Sequence, residues 1–117
     1  MIKRYIKRFP HALNGLKIAI KEDYGFRTQI YLGATLLFIV GVWFTPINSL
    51  EVLLLALAYA LVLITELQNS AVETALDRIH PDLDDSIRKA KDMAAGSVLI
   101  AGLFLLFTLG FIYFVGV

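Results

Sequence analysis

The sequence predicts an all-α integral membrane protein: an N-terminal amphipathic surface helix followed by three transmembrane helices. Three observations carry that reading. Of the 117 residues, 58% are hydrophobic and mean hydropathy is +0.72, too apolar for an ordinary soluble domain of this length. Every Lys and Arg lies before Thr28 or between Arg78 and Lys91. By the positive-inside rule the N-terminal segment and the 78–91 stretch are then cytoplasmic, and the turn near 45–49 and the C-terminus at Val117 lie outside, which requires an odd number of crossings. Finally, apolar residues in the first 21 positions recur at helical spacing.

Residues 1–25 are expected to form the surface helix and its turn. Ile2, Tyr5, Ile6, Phe9, Leu13, Leu16 and Ile20 make its apolar side, and Lys3, Arg4, Lys7, Arg8, Lys17 and Lys21 make the basic remainder, suited to anionic headgroups. Pro10 is expected to kink this helix or to open its second half, because proline lacks the amide donor of an interior position. The segment Glu22-Asp23-Tyr24-Gly25-Phe26-Arg27 breaks the pattern. The basic N-terminus is expected to be retained rather than cleaved, since about 27 residues precede the first long apolar run.

The first crossing is expected over 28–46, with Trp43 and Phe44 at the outer interface and Pro46 as its stop. Asn48-Ser49-Leu50-Glu51 reads as a capping-box start for the second crossing, expected over 49–79. At 1.5 Å per residue that helix is roughly 45 Å long, longer than the hydrocarbon layer, so its far end must emerge or line a polar groove. Pro81 and the Asp-rich turn around it end this helix and start the third crossing, expected over 84–116. Ala94, Ala95, Gly96 and Ser97 suit close helix packing. The whole chain reads as one domain without internal repeats.

The chemistry lies where the second helix ends. Behind the unbroken apolar run from Val52 to Ile64, residues Glu66, Asn69, Ser70, Glu73 and Asp77 fall on one helical face. Asp77 alone reads equally well as a solvated helix end, but Glu66 does not, because an ionisable side chain at bilayer depth is costly. Glu66 and Glu73 are about two turns, roughly 10 Å, apart, too far to grip one small cation directly, so they have different jobs. The chain contains no cysteine, excluding disulfides, thiolate metal sites and a Cys nucleophile. No phosphate-binding glycine loop, protein-kinase signature, zinc-protease helix or serine-hydrolase elbow occurs. His11 and His80 are isolated, which argues against metal ligation by either, and the basic residues are explained by topology rather than nucleic acid.

What remains facing the cytoplasm is a set of carboxylates (Glu22, Asp23, Glu66, Glu73, Asp77, Asp92), the amide Asn69, and cations including Arg4 and Lys91. Phosphoryl transfer from a magnesium nucleotide needs such a set: carboxylates for the metal, cations for phosphate charge, and a base for the attacking hydroxyl. A base at bilayer depth suggests a lipid acceptor. Two other classes compete, a small multidrug-type transporter with an essential membrane glutamate and a non-catalytic membrane partner protein. The lopsided Lys and Arg distribution and the odd number of crossings count against the transporter.

The stretch Glu66-Leu67-Gln68-Asn69-Ser70-Ala71-Val72-Glu73, with Ala90-Lys91-Asp92-Met93-Ala94-Ala95-Gly96-Ser97 further on, closely resembles the prokaryotic diacylglycerol kinase and undecaprenol kinase family. The likeness extends forward through Ala12-Leu13-Asn14-Gly15-Leu16 and the acidic segment before Phe26-Arg27. The resemblance implies a homotrimer in the bacterial inner membrane, its bundle of surface and membrane helices sharing composite active sites that face the cytoplasm, with ATP as donor and magnesium as cofactor. It makes Glu66 the catalytic base, Glu73 a magnesium ligand and Asn69 a supporting residue. The second metal carboxylate falls on Asp23, a departure from the glutamate usual in the family, with Glu22 as a neighbour that could substitute. Lys91 and Asp92 match the nucleotide-binding pair, joined by Asp23 and Glu73, and less closely by Arg4, His11, Asp82 and Asp84. Phe26, Arg27 and Ala95 correspond to positions that support the lipid site. Asp77-Arg78-Ile79 resembles the diacylglycerol branch, Phe9-Pro10-His11-Ala12 and Ala94-Ala95-Gly96 the undecaprenol branch. The reading adopted is a diacylglycerol kinase, with undecaprenol as the alternative acceptor.

Overall fold

The computed structural model describes residues 1–80, 82 and 84–116. Pro81, expected to end the second crossing, and the C-terminal Val117 lie outside the described residues, as does Leu83. Among the described residues four helices follow one another, α1 (Ile2–Glu22), α2 (Tyr24–Trp43), α3 (Ser49–Ile79) and α4 (Asp85–Phe114), and α2, α3 and α4 are each long and apolar enough to cross a membrane.

α1 runs without interruption through Pro10. Its apolar residues stay uncovered, Tyr5, Ile6 and Phe9 at 61–65% exposure, and only Ala19 is buried. The helix thus keeps an apolar face uncovered by the rest of the chain, as an interfacial helix does. The proline costs the Ile6 carbonyl its usual partner, which is tolerable at a wet surface.

The break after α1 is shorter than the sequence suggests. Only Asp23 leaves helical geometry, with φ −96° and ψ 104°. Its amide still donates to the Ala19 carbonyl at 3.0 Å, while its Oδ1 accepts from Phe26 N at 3.2 Å and starts the next helix. The first membrane helix therefore begins at Tyr24, not at residue 28, and ends at Trp43, before residue 46. Arg27 closes the corner by donating to the Lys21 carbonyl at 3.3 Å.

α3 starts with the expected capping box, Glu51 N to Asn48 Oδ1 at 2.8 Å and Asn48 N to Glu51 Oε1 at 3.0 Å. Satisfying these amides is what lets Glu51 sit at 7% exposure. α3 and α4 form an antiparallel hairpin whose seam is Glu51, Leu55, Ala58 and Val62 on one side and Ala101, Thr108 and Ile112 on the other. Alanines in this seam bring the axes together, as packing in lipid requires. Thr65 and Thr108 return their hydroxyls to their own helices, to the Leu61 and Phe104 carbonyls at 2.8 Å, so neither is left unpaired. α2 packs on α3 along its N-terminal half, and at the opposite end Phe44 meets Tyr113 with ring centroids 5.4 Å apart. α4 starts at Asp85, with Asp84 as its cap.

Replacing Asn48 by Ala is expected to destabilise the folded protein by about 1 kcal/mol, the usual worth of a side-chain cap. Reversible unfolding in mixed micelles checks it, and an unchanged midpoint would show that the capping box contributes nothing.

Candidate active site

The face of α3 read from the sequence meets the α1–α2 corner. Residue numbers fall along α2 as they rise along α3, so Asp23 and Gly25 come to lie against Ser70 and Glu66. Ser70 Oγ donates to Asp23 Oδ2, and the other oxygen of that carboxylate caps α2. A side chain at Gly25 would overlap Glu66 Oε1 and come within 3.4 Å of Asp23 Oδ1. Gly25 is therefore needed for close approach, and it lets the corner lie directly on the glutamate. Asp23 and Glu73 are both near enough for their charges to act on Glu66.

Beside this contact lies a cleft of about 670 Å³ between the second half of α1 and the C-terminal end of α3. Glu22, Asp23, Ser70, Glu73 and Asp77 supply its polar wall, and Ile18, Ala19 and Leu67 its apolar wall. That volume is in the range of small-molecule sites. Asp77 Oδ1 holds Lys91 Nζ at 2.5 Å, tying the start of α4 to the cleft edge. Asp92 is exposed on the next position. Asn69 is half-buried, and its Oδ1 is enclosed without a hydrogen-bond partner.

Other candidates sit elsewhere. Arg4 and His11 line a separate groove on α1 with Lys3, Lys7 and Arg8. Asp84 caps α4 through Ile87 N at 2.9 Å and lies 3.3 Å from His80 Nε2, while the Asp82 carbonyl lies 2.9 Å from His80 Nδ1. Both aspartates thus serve the α3–α4 turn and not the cleft. Phe26, at 3% exposure, packs inside the corner, Arg27 braces it, and Ala95 is exposed on α4 away from the cleft lining. Among the described residues no three acidic or histidine side chains converge into a ready-made metal cage. The sequence pattern does not single out Gly25, and it places Ser70 on the right face without its partner. A glycine two residues after the helix-breaking Asp23 was the available signal.

Comparison with known proteins bears on this arrangement. The family model described as "Prokaryotic diacylglycerol kinase" matches residues 10–113. The chain is 36% identical to a diacylglycerol kinase of Haemophilus influenzae over 78% of its length and 75% of the relative's. It is 34% identical to a diacylglycerol kinase of Escherichia coli strain K12, covering 84% of this chain and 79% of that one. A diacylglycerol kinase of Helicobacter pylori strain J99 is 35% identical, with 92% and 83% covered.

Lys91 and Asp77 are 28% and 64% exposed, so their ion pair is solvent-screened. Asp77→Asn is expected to cost less than about 1 kcal/mol in micellar unfolding. A loss near 3 kcal/mol would instead mark a fully desolvated pair.

Proposed function

Because the chain belongs to the prokaryotic diacylglycerol kinase family, we propose that it transfers the γ-phosphoryl group of ATP to the hydroxyl of diacylglycerol, forming phosphatidic acid. The observation that carries the assignment of the site is the meeting of Glu66, Asp23, Ser70 and Glu73 at the end of an apolar helix, beside a nucleotide-sized cleft.

The roles follow from position. Glu66 stands where the apolar run ends, the depth at which a lipid hydroxyl sits while its acyl chains remain in hydrocarbon. Its carboxylate takes the hydroxyl proton as the oxygen attacks the γ-phosphorus. The new P–O bond forms as the bond to the ADP leaving group breaks, so Glu66 ends the step protonated. The cleft supplies only hard oxygen donors, from Glu22, Asp23 and Glu73, which fit magnesium. These carboxylates would hold magnesium together with water, since that ion needs few protein ligands. Magnesium, when bound, neutralises phosphate charge. With one Asp23 oxygen capping α2 and the other holding Ser70, Glu73 and Glu22 have the freer carboxylates. Asn69 supports the site, and Phe26 and Arg27 hold the corner over it.

Lys91 at the cleft edge is the cation for the transferred phosphate, and Asp92 stands beside it. Arg4 and His11 lie on the α1 face that continues through Gly15, Ile18 and Glu22 into the cleft, which supports a nucleotide laid along α1. Asp82, Asp84 and Ala95 would reach substrate only across a subunit boundary or by movement of the turn. Membership of the family supports a homotrimer with shared sites. The Lys and Arg distribution supports an inner-membrane protein with its N-terminus and cleft in the cytoplasm.

Purified protein in lipid nanodiscs with labelled ATP, magnesium and equal amounts of diacylglycerol and undecaprenol tests this. Phosphatidic acid is the expected product. Preferential labelling of undecaprenol would overturn the acceptor, and labelling of neither lipid would overturn the kinase reading. Glu66→Gln is expected to lower kcat at least about 100-fold, the usual worth of a general base, with nucleotide affinity unchanged. Full turnover in that variant would move the base elsewhere.

A further inference from the structure

The cytoplasmic tie between α2 and α3 has a counterpart deeper in the bilayer. Tyr59 lies on the α3 face that carries Glu66 and Ser70, about two turns before Glu66, roughly 10 Å along the axis. Its hydroxyl crosses to α2 and donates to the Gln29 carbonyl at 2.8 Å. A side chain at Gly33 would overlap both the ring and the hydroxyl of Tyr59, so the ring rests directly on the α2 backbone. Gly25 and Gly33 thus act alike at successive levels of α2: the former makes room for Glu66, the latter for Tyr59. Gly41, further along the same helix, has nothing within 4 Å and marks no such contact.

We propose that Tyr59 is a positioning residue for phosphoryl transfer: through Gln29 and Gly33 it sets the depth and rotation of α2, and so where the α1–α2 corner lies over Glu66. The proposal rests on the kinase reading above. Tyr59 is absent from the cleft lining and touches no reacting group. Its effect runs through the backbone of α2, whose cap is Asp23. Ser70–Asp23 and the Phe44–Tyr113 rings hold the two ends of α2, and the Tyr59 contact, on the other side of Glu66 from Ser70, fixes its depth and rotation between them. The tie is strong for its size because a phenol in hydrocarbon has no water to fall back on, and a carbonyl already in a helix ladder still has a second lone pair to offer. Transfer between two oxygens tolerates little error, since a displacement of about 1 Å can cost on the order of 100-fold in rate.

The test uses Tyr59→Phe, which keeps the ring and removes the bond, Gly33→Ala, which keeps the bond donor and displaces the ring, and the double variant. The chain has no cysteine, so nitroxides can be attached after Leu37→Cys and Leu53→Cys substitutions on exposed sites of α2 and α3, diluted with unlabelled protein. Each single variant is expected to lose at least about tenfold in kcat, with KM for ATP and for lipid within about twofold, and to broaden the α2–α3 distance distribution. The double variant is expected to be no slower than the worse single one, since both break one contact. Unchanged kcat per folded protein, a loss confined to KM, additive losses or an unchanged distance distribution would each overturn the proposal. Should the unmodified protein phosphorylate no lipid, the kinase reading fails by itself, and the distance measurement still decides whether Tyr59 positions α2.

Discussion

The hydrogen bond from Ser70 to Asp23 joins the two halves of this molecule. On one side of it lies a helix that could stand alone as a membrane span, and on the other a surface helix and a second span that touch it only along a short length. Asp23 can accept that bond because it has left the helix: the same residue ends α1, caps α2 and offers its remaining oxygen to α3. Without that residue in extended geometry the surface helix would have no corner to turn, and the acidic face of α3 would meet lipid.

That arrangement answers a problem of solvation. A carboxylate such as Glu66 at the end of an apolar run is expensive unless polar groups or water reach it. The corner brings such surroundings: Asp23, the exposed Glu22 and the cleft itself lie within the same turn of structure. Like charges placed together have no stabilising purpose of their own, and the metal ligation proposed for them would give them one. The protomer itself encloses this site only lightly. Most large apolar side chains on α1, α2 and α4 are exposed, and buried packing is found chiefly in the α3–α4 seam, with Ala19 and Phe26 at the corner. An isolated copy in water would be unstable for that reason. In a bilayer the same surfaces are at home.

Much of this was legible in the residues, and the rest was not for definable reasons. The three spans, the Asn48–Glu51 cap and the acidic face of α3 follow from periodicities of one helix at a time, which a sequence displays directly. The corner departs from expectation because Glu22 to Arg27 contains two acids and a glycine, each a turn signal. Only Asp23 breaks, since its own side chain caps the next helix and allows α2 to begin at Tyr24. The contacts between helices were out of reach. Nothing in a tyrosine within an apolar run says that it will meet Gly33, and nothing in Asp84, readable as a cap, shows that it will also meet His80. Pairings of that kind depend on the register between elements, which no single-helix pattern encodes.

The central claim is that Asp23, Glu66 and Glu73 form one acidic site that receives a divalent cation with the nucleotide. Manganese substituted for magnesium, with carboxylate carbon signals followed by solid-state NMR in lipid, tests it most directly. The account predicts that paramagnetic broadening falls on Asp23, Glu66, Glu73 and Glu22 while Asp84 and Glu51 remain sharp. Broadening centred on the α3–α4 turn, with the cleft carboxylates unaffected, would contradict it.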